Sequence, residues 1–279
     1  MVGLVVTTLM AAVAAGADRI APGNPFTTSA PDRLQPPSAR HLLGTDQLGR
    51  DLFVNVVRGA HTSMTIVAGV VVISSAIGIV VGCVAGFRRG LVDDLVMRIV
   101  EIVQSVPRFF VAVLVVGWFG ARASTLTVLL GLTSWPTLAR VVRAEALSLR
   151  ERDFVDAARS LGASDARIVL RHVVPNVAPS ALVVAAVTGS RVVLLEAGLA
   201  FLGLGDPNVA SWGALINNAQ PYLATAWWMS VFPGAAMATA VLGMNLLADG
   251  LTDLFGPDRA TATFSPVPNR APCRGELGP

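Results

Sequence analysis

Between Arg58 and Arg88 the chain carries no Asp, Glu, Lys or Arg. About 20 apolar residues are enough to cross a hydrocarbon layer roughly 30 Å thick. Inside that layer each backbone N–H and C=O must find its partner within the protein, so an isolated run of this kind is restricted to an α-helix. The rest of the chain points the same way. It is 53% hydrophobic and only 14% charged over 279 residues, whereas soluble domains carry about a quarter charged residues. The expected class is an all-α, polytopic membrane protein in contact with lipid.

Apolar windows predict six spans: residues 2–17, 64–87, a third from VDDLVMRIVEIVQS through FFVAVLVVGWFG, 124–146, 178–200 and 226–248. The third passes Pro107-Arg108, where proline removes a backbone donor and predicts a kink. The chain thus divides into a first helix (1–17), an extramembrane segment (18–60), a core of five spans (61–255) with a polar loop at 150–176, and a Pro-rich tail (256–279) expected to be disordered. The first run is short. It reads as a spanning helix with a clipped start; the alternative is a signal peptide, although the positive n-region of one is missing. Within 18–60, APGNPFTTSAPDRLQPPS predicts extended chain. HLLGTDQLGRDLFVNVVRGA predicts an amphipathic interfacial helix capped by Thr45 or Asp46, with Leu48, Leu52, Phe53, Val56 and Val57 on one side.

Arginine placement sets the orientation. Arg140, Arg143, Arg150, Arg152, Arg159, Arg167 and Arg171 cluster from the end of the fourth span to the approach to the fifth, while Phe201 to Thr225 has none. Under the positive-inside rule the loop at 150–176 and both termini are cytoplasmic.

All 21 basic side chains are arginine. A phosphate-binding P-loop ends in Gly-Lys-Ser/Thr, with the lysine reaching the terminal phosphates. A chain without lysine has no such loop, so any ATP consumed is hydrolysed on a partner. Net charge is +3, and the arginines mostly end apolar runs, which fits nucleic-acid binding poorly. Cys83 and Cys273 form no paired framework, and His41, His61 and His172 lack metal-ligand spacing. No Ser/His or paired-Asp arrangement stands out within the spans, which argues against an intramembrane enzyme.

The polar loop reads DFVDAARSLGASDARIVLRHVVPN over 153–176. Phe154, Ala157, Ala158 and Leu161 fall at i, i+3, i+4 and i+7, one narrow apolar stripe on a short helix. Gly162 stands where a helix C-terminus wants a left-handed residue. Ser164-Asp165 predicts a cap and first-turn acid for a second helix, and Pro175 predicts its stop before the next span. Such a helix is either a docking element for another protein or a linker whose stripe packs on its own bundle.

Asp156-Ala157-Ala158, then Gly162 and a run ending at Pro175, resembles the EAA loop of permeases from ATP-binding-cassette (ABC) importers. HLLGTDQLGRD at 41–51, RGAHTS at 58–63, HVVPN at 172–176, EAGLAFLGLG at 196–205 and NLLADGLTD at 245–253 resemble the C-type permease of the dipeptide, oligopeptide and nickel uptake group. The resemblance implies a type I importer permease in a bacterial cytoplasmic membrane, moving peptides by alternating access. It implies a second, homologous permease, two ATPase subunits that bind ATP and Mg, and an extracytoplasmic binding protein, with no cofactor on this chain. Nickel or another small solute is the alternative cargo. By the same resemblance Asp156, Ala157, Ala158, Gly162 and Pro175 couple the permease to its ATPase, with Asp156 in place of the family's usual Glu.

Three residues are expected along a substrate path. Arg191 falls near the middle of the fifth span, where a charge costs at least about 2.5 kcal/mol. It either lines a water-filled path and meets the carboxylates of a passing peptide, or pairs with an acid on a neighbouring helix or partner subunit. Glu196, five residues on and so about 140° around the helix, matches an acidic position of the family. Trp212 lies in 206–226, an external loop packed on the bundle or, by the resemblance, a segment that meets the binding protein or gates the pore. Trp227-Trp228 reads as an interfacial pair.

Overall fold

The computed structural model describes residues 1–255; the tail expected at 256–279 lies outside them. The architecture is all-helical. Helices α1 (Val2–Ala15) and α2 (Ala17–Ile20) lead through a looped segment to α3 (Leu52–Arg88), α4 (Leu91–Ser105), α5 (Arg108–Phe119) and α6 (Ala123–Arg150). Next come α7 (Asp153–Ser160), α8 (Asp165–Ile168), a π turn (Val169–Val173), α9 (Val174–Phe201), α10 (Trp212–Ala219) and α11 (Trp228–Phe255).

Four helical stretches are long and apolar enough to cross a membrane: Leu52–Arg88, Ala123–Arg150, Asp165–Phe201 and Trp228–Phe255. A fifth forms if α4 and α5 are one span, although they bend by 75°. That is more than a proline kink: Val106 and Pro107 are both extended, so the helix breaks. The first predicted span is only 14 residues long as α1, about 21 Å at 1.5 Å per residue. It lies along α11, where a side chain at Gly3 would strike the Leu246 and Leu247 backbone.

The centre of the bundle is α3 against α6. Gly78, Gly82 and Gly86 repeat every four residues and so lie on one side of α3. A Cβ on Gly82 would stand 2.7 Å from the Ala139 carbonyl oxygen, and one on Gly86 2.6 Å from that of Arg143. Small residues at this spacing let two backbones approach, which drives helix pairing in lipid, where hydrophobic burial offers little. Polar bonds add to the packing. Ser190 of α9 donates to Asn245 of α11 at 3.0 Å, and Arg143 grips the buried Asp93 of α4 through two nitrogens.

The segment 41–60 corrects its prediction. No helix starts at Thr45 or Asp46; α3 begins at Leu52, and Asp51 caps it by accepting from Phe53 and Val54 N–H. Before it, Asp46 Oδ1 accepts from Leu48 and Arg50 N–H, and Gly49 adopts φ +73°, with Ser29 so close that any side chain would collide. Thr45 is buried, held by the Asp32 carbonyl, and its own carbonyl accepts from the Trp228 indole at 3.0 Å. Trp228 is therefore a core residue, and of the expected interfacial pair only Trp227 is exposed.

Gly82→Val forces overpacking between α3 and α6, at a cost of about 1–3 kcal/mol. The purified protein in detergent should show a lower Tm, while Gly117→Ala, which meets open space, should not lower it.

Candidate functional site

At one end of the bundle α7 projects from the α6–α9 connection. Asp153 and Asp156 occupy its first turn and Arg159 its last, the arrangement the helix dipole favours. Its end is a Schellman closure: Gly162 N–H donates to the Arg159 carbonyl at 2.9 Å, and Ala163 N–H to that of Ala158 at 3.0 Å. Gly162 takes φ +81°, as the sequence led one to expect.

The predicted apolar stripe divides in two. Val155 is fully buried, and Ala158, one turn on, packs partly against the same cluster of Cys83, Phe87, Leu138, Val142 and Ala146. That line is the anchor. Phe154, Ala157 and Leu161 face outward, with Leu161 89% exposed. Asp156 is also outward and forms an ion pair with Arg159 at 3.5 Å.

Arg159 and Arg150, which the sequence offered only as charges, hold α7 to the bundle. Both guanidinium groups lie over the Phe87 ring, at 5.3 and 5.8 Å, and Arg150 donates to the Phe87 carbonyl at 2.6 Å. Arg89 beside Glu151 completes the junction and, through its hydrogen bond, holds that carboxyl below the usual range.

Two further expectations change. Ser164 stands at the N-cap of α8, but its hydroxyl makes no cap bond. Pro175 does not stop that helix, because Asp165–Phe201 is one helical run. A π turn just before the proline absorbs the mismatch, and the Asn176 amide donates to the His172 carbonyl at 2.6 Å.

The three expected path residues are not brought together. Glu196 is buried against α3, accepting from Ser63 Oγ at 3.3 Å. Trp212 is buried too, its indole donating to the Val56 carbonyl at 3.0 Å, and it fastens α10 to α3. Only Arg191 reaches a cavity, of about 110 Å³, shared with Arg108, Ser134, Thr137 and Thr188. No carboxylate among the described residues lies within ion-pair distance of Arg191. At the α10 end a second cavity, of about 280 Å³, is lined by Arg50, Asn55, Asp206, Asn217 and Asn218, among others.

Long lipid-compatible helices, with a charged loop helix anchored against them, define a multi-pass membrane protein. The chain belongs to the family of binding-protein-dependent transport system inner membrane components, whose model matches residues 78–261. Among its relatives is a Brucella suis protein provisionally named a peptide transport system permease, 40% identical over 92% of this chain and 86% of that one. The oligopeptide transport system permease protein OppC of Bacillus subtilis is 34% identical over 92% of this chain and 85% of its own. The fold is shared with the inward-facing MetNI methionine ABC transporter: TM-score 0.60, 19% identity, covering 73% of this chain and 97% of that chain. The protein is thus the inner-membrane permease of an ABC transporter; it is not itself an enzyme, and ATP is hydrolysed on partner subunits.

Val155→Ala removes a fully buried anchor and should cost about 2 kcal/mol. Hydrogen exchange of the α7 amides should accelerate while the central turns of α3 and α6 keep their protection.

Proposed function

We propose that the chain is a permease of an importer for dipeptides or oligopeptides. The observation that carries this reading is the identity of 34–40% over 92% of the chain to permeases named for peptide transport. In this reading α1 and the α4–α5 pair complete six spans, both termini are cytoplasmic, and 18–60 and α10 face outward. A homologous second permease packs beside this one, two ATPase subunits bind ATP and Mg below, and an extracytoplasmic binding protein delivers peptide from above.

In the same reading α7 is the coupling helix. Its outward side, with Asp156, Ala157 and Leu161, docks in an ATPase cleft, where alanine lets the partner's surface come close. Ala158 sits behind, against the bundle. Gly162 fixes the angle at which α7 leaves, and Pro175 lies where the loop joins α9. Alternating access follows if nucleotide-driven movement of α7 is carried into α3, α6 and α9.

Reconstituted with its partner permease, ATPases and binding protein, the protein should support ATP-dependent accumulation of a radiolabelled peptide in liposomes. A fully assembled, ATP-hydrolysing complex that accumulates no peptide refutes the reading. In the same assay Gly162→Val forces a β-branched residue into the left-handed region, at roughly 1–2 kcal/mol or more. Uptake should fall about tenfold with ATP hydrolysis retained; unchanged uptake contradicts the coupling role.

A further inference from the structure

Arg108, Ser134 and Arg191 belong to three different helices but share one level. Arg108 is the first residue of α5, which ends at Phe119; Ser134 follows the start of α6 at Ala123; Arg191 precedes the end of α9 at Phe201. At 1.5 Å per residue, each lies about 15–17 Å from its helix end. Those of α6 and α9 are tied together, because Asp206 Oδ2, just past α9, accepts from Ala123 N–H at 3.1 Å. With the start of α6 and the end of α9 at one face of a hydrocarbon layer roughly 30 Å thick, the three residues would sit near its middle, and all three line the cavity of about 110 Å³.

The lining contains two guanidinium groups and no acid. Among the described residues neither arginine has a carboxylate within 4.0 Å. Both arginines line the same small cavity, where like charges repel, and Arg108 adds a cation at the positive end of the α5 dipole. Arg143, elsewhere on α6, shows the ordinary solution, a two-nitrogen grip on Asp93. Glu196 offers none here, since it faces α3 from another side of α9. Ser134 adds a buried hydroxyl to the cavity wall. It is only 3% exposed, and its Oγ has no hydrogen-bond partner.

We propose that Arg108, Arg191 and Ser134 form an intramembrane subsite for the C-terminal carboxylate of the transported peptide, an inference that rests on the peptide-importer reading. Guanidinium forks match a carboxylate's two oxygens, and the serine hydroxyl supplies a third donor. The volume suits the group: with each water occupying about 30 Å³ of liquid, the cavity takes a carboxylate and a water or two, not a whole peptide. An anion there also relieves the repulsion between the arginines. Because Arg108 directly follows the 75° break between α4 and α5, an occupied subsite links that break to α9.

The test uses the complete transporter in proteoliposomes and two radiolabelled probes, a tripeptide with a free C-terminus and its C-terminal amide. Initial uptake rates are compared at equal occupancy of the binding protein, whose affinity for each probe is measured separately. The wild type should carry the free acid faster. Arg191→Gln and Arg108→Gln should each lower the acid-to-amide rate ratio about tenfold or more, the worth of a charged hydrogen bond; Ser134→Ala should lower it by a smaller factor. Equal slowing of acid and amide by the arginine variants overturns the subsite. So does loss of the partner permease on purification of Arg191→Gln, which assigns the arginine to an acid of that subunit. Uptake of neither probe by the wild type strikes the peptide reading itself, a result distinguishable because it precedes any substitution.

Discussion

The close approach of α3 to α6 is the contact on which the other arrangements depend. Lipid provides little reward for burying leucine, so two helices stay together through dispersion between closely fitted backbones and a few polar bonds. Gly78, Gly82 and Gly86 provide that fit, with Gly131 of α6 giving the same access to Ile73 from the other side. Once the pair is formed, both ends of α3 are committed. At one end Gly59 receives the Trp212 ring, which positions α10. At the other, Cys83 and Phe87 join Leu138, Val142 and Ala146 in the cluster that takes Val155, Ile168, Val173 and Val177.

That second cluster makes the loop at 150–176 a mechanical part of the bundle. Exposed ion pairs such as Arg89 with Glu151 contribute little by themselves. The firm connection is apolar: Val155 below α7 and the Phe87 ring beneath two guanidinium groups. In the proposed coupling role, a push on the outward side of α7 would pass through these contacts to α3 and α6. The π turn at Val169–Val173 interrupts the helical run from α8 into α9, and π turns recur at functional sites.

Sequence and structure agree where a single physical rule decides. The long uncharged runs became helices because lipid leaves the backbone no alternative, and Gly162 became a left-handed cap because chirality excludes most residues there. They part where distant contacts decide. Leu48, Leu52 and Phe53 carry helical spacing, yet residues 41–51 fold as turns because Asp32, Ser29 and Trp228 bond to them from elsewhere in the chain. In α7 the spacing of Phe154, Ala157 and Leu161 was legible, but the anchoring line through Val155 became visible only with α3 and α6 in place. The Gly78-Gly82-Gly86 repeat has small-xxx-small spacing, but its significance emerged only with Ala139, Val142 and Arg143 of α6 against it. Arg108 could be seen as the residue after a proline break; its neighbourhood with Arg191 is tertiary.

The two charges of α9 meet different surroundings on one helix. Arg191 and Glu196 point about 140° apart, and the bundle sorts them accordingly. Glu196 turns inward to Ser63, whereas Arg191 turns to the cavity. Arg191 lies 17 residues beyond Val174, where α9 begins, so about 25 Å of helix separates it from the π turn. A rod of that length transmits rotation as well as translation. In the proposed mechanism a small tilt started at the loop would move Arg191 relative to Arg108, whose helix does not share the rod. Opening or closing the space between two cations changes their hold on an anion steeply, since Coulomb attraction in a low dielectric falls quickly once water enters. The loop and the cavity need no chain of side-chain switches between them, because α9 belongs to both.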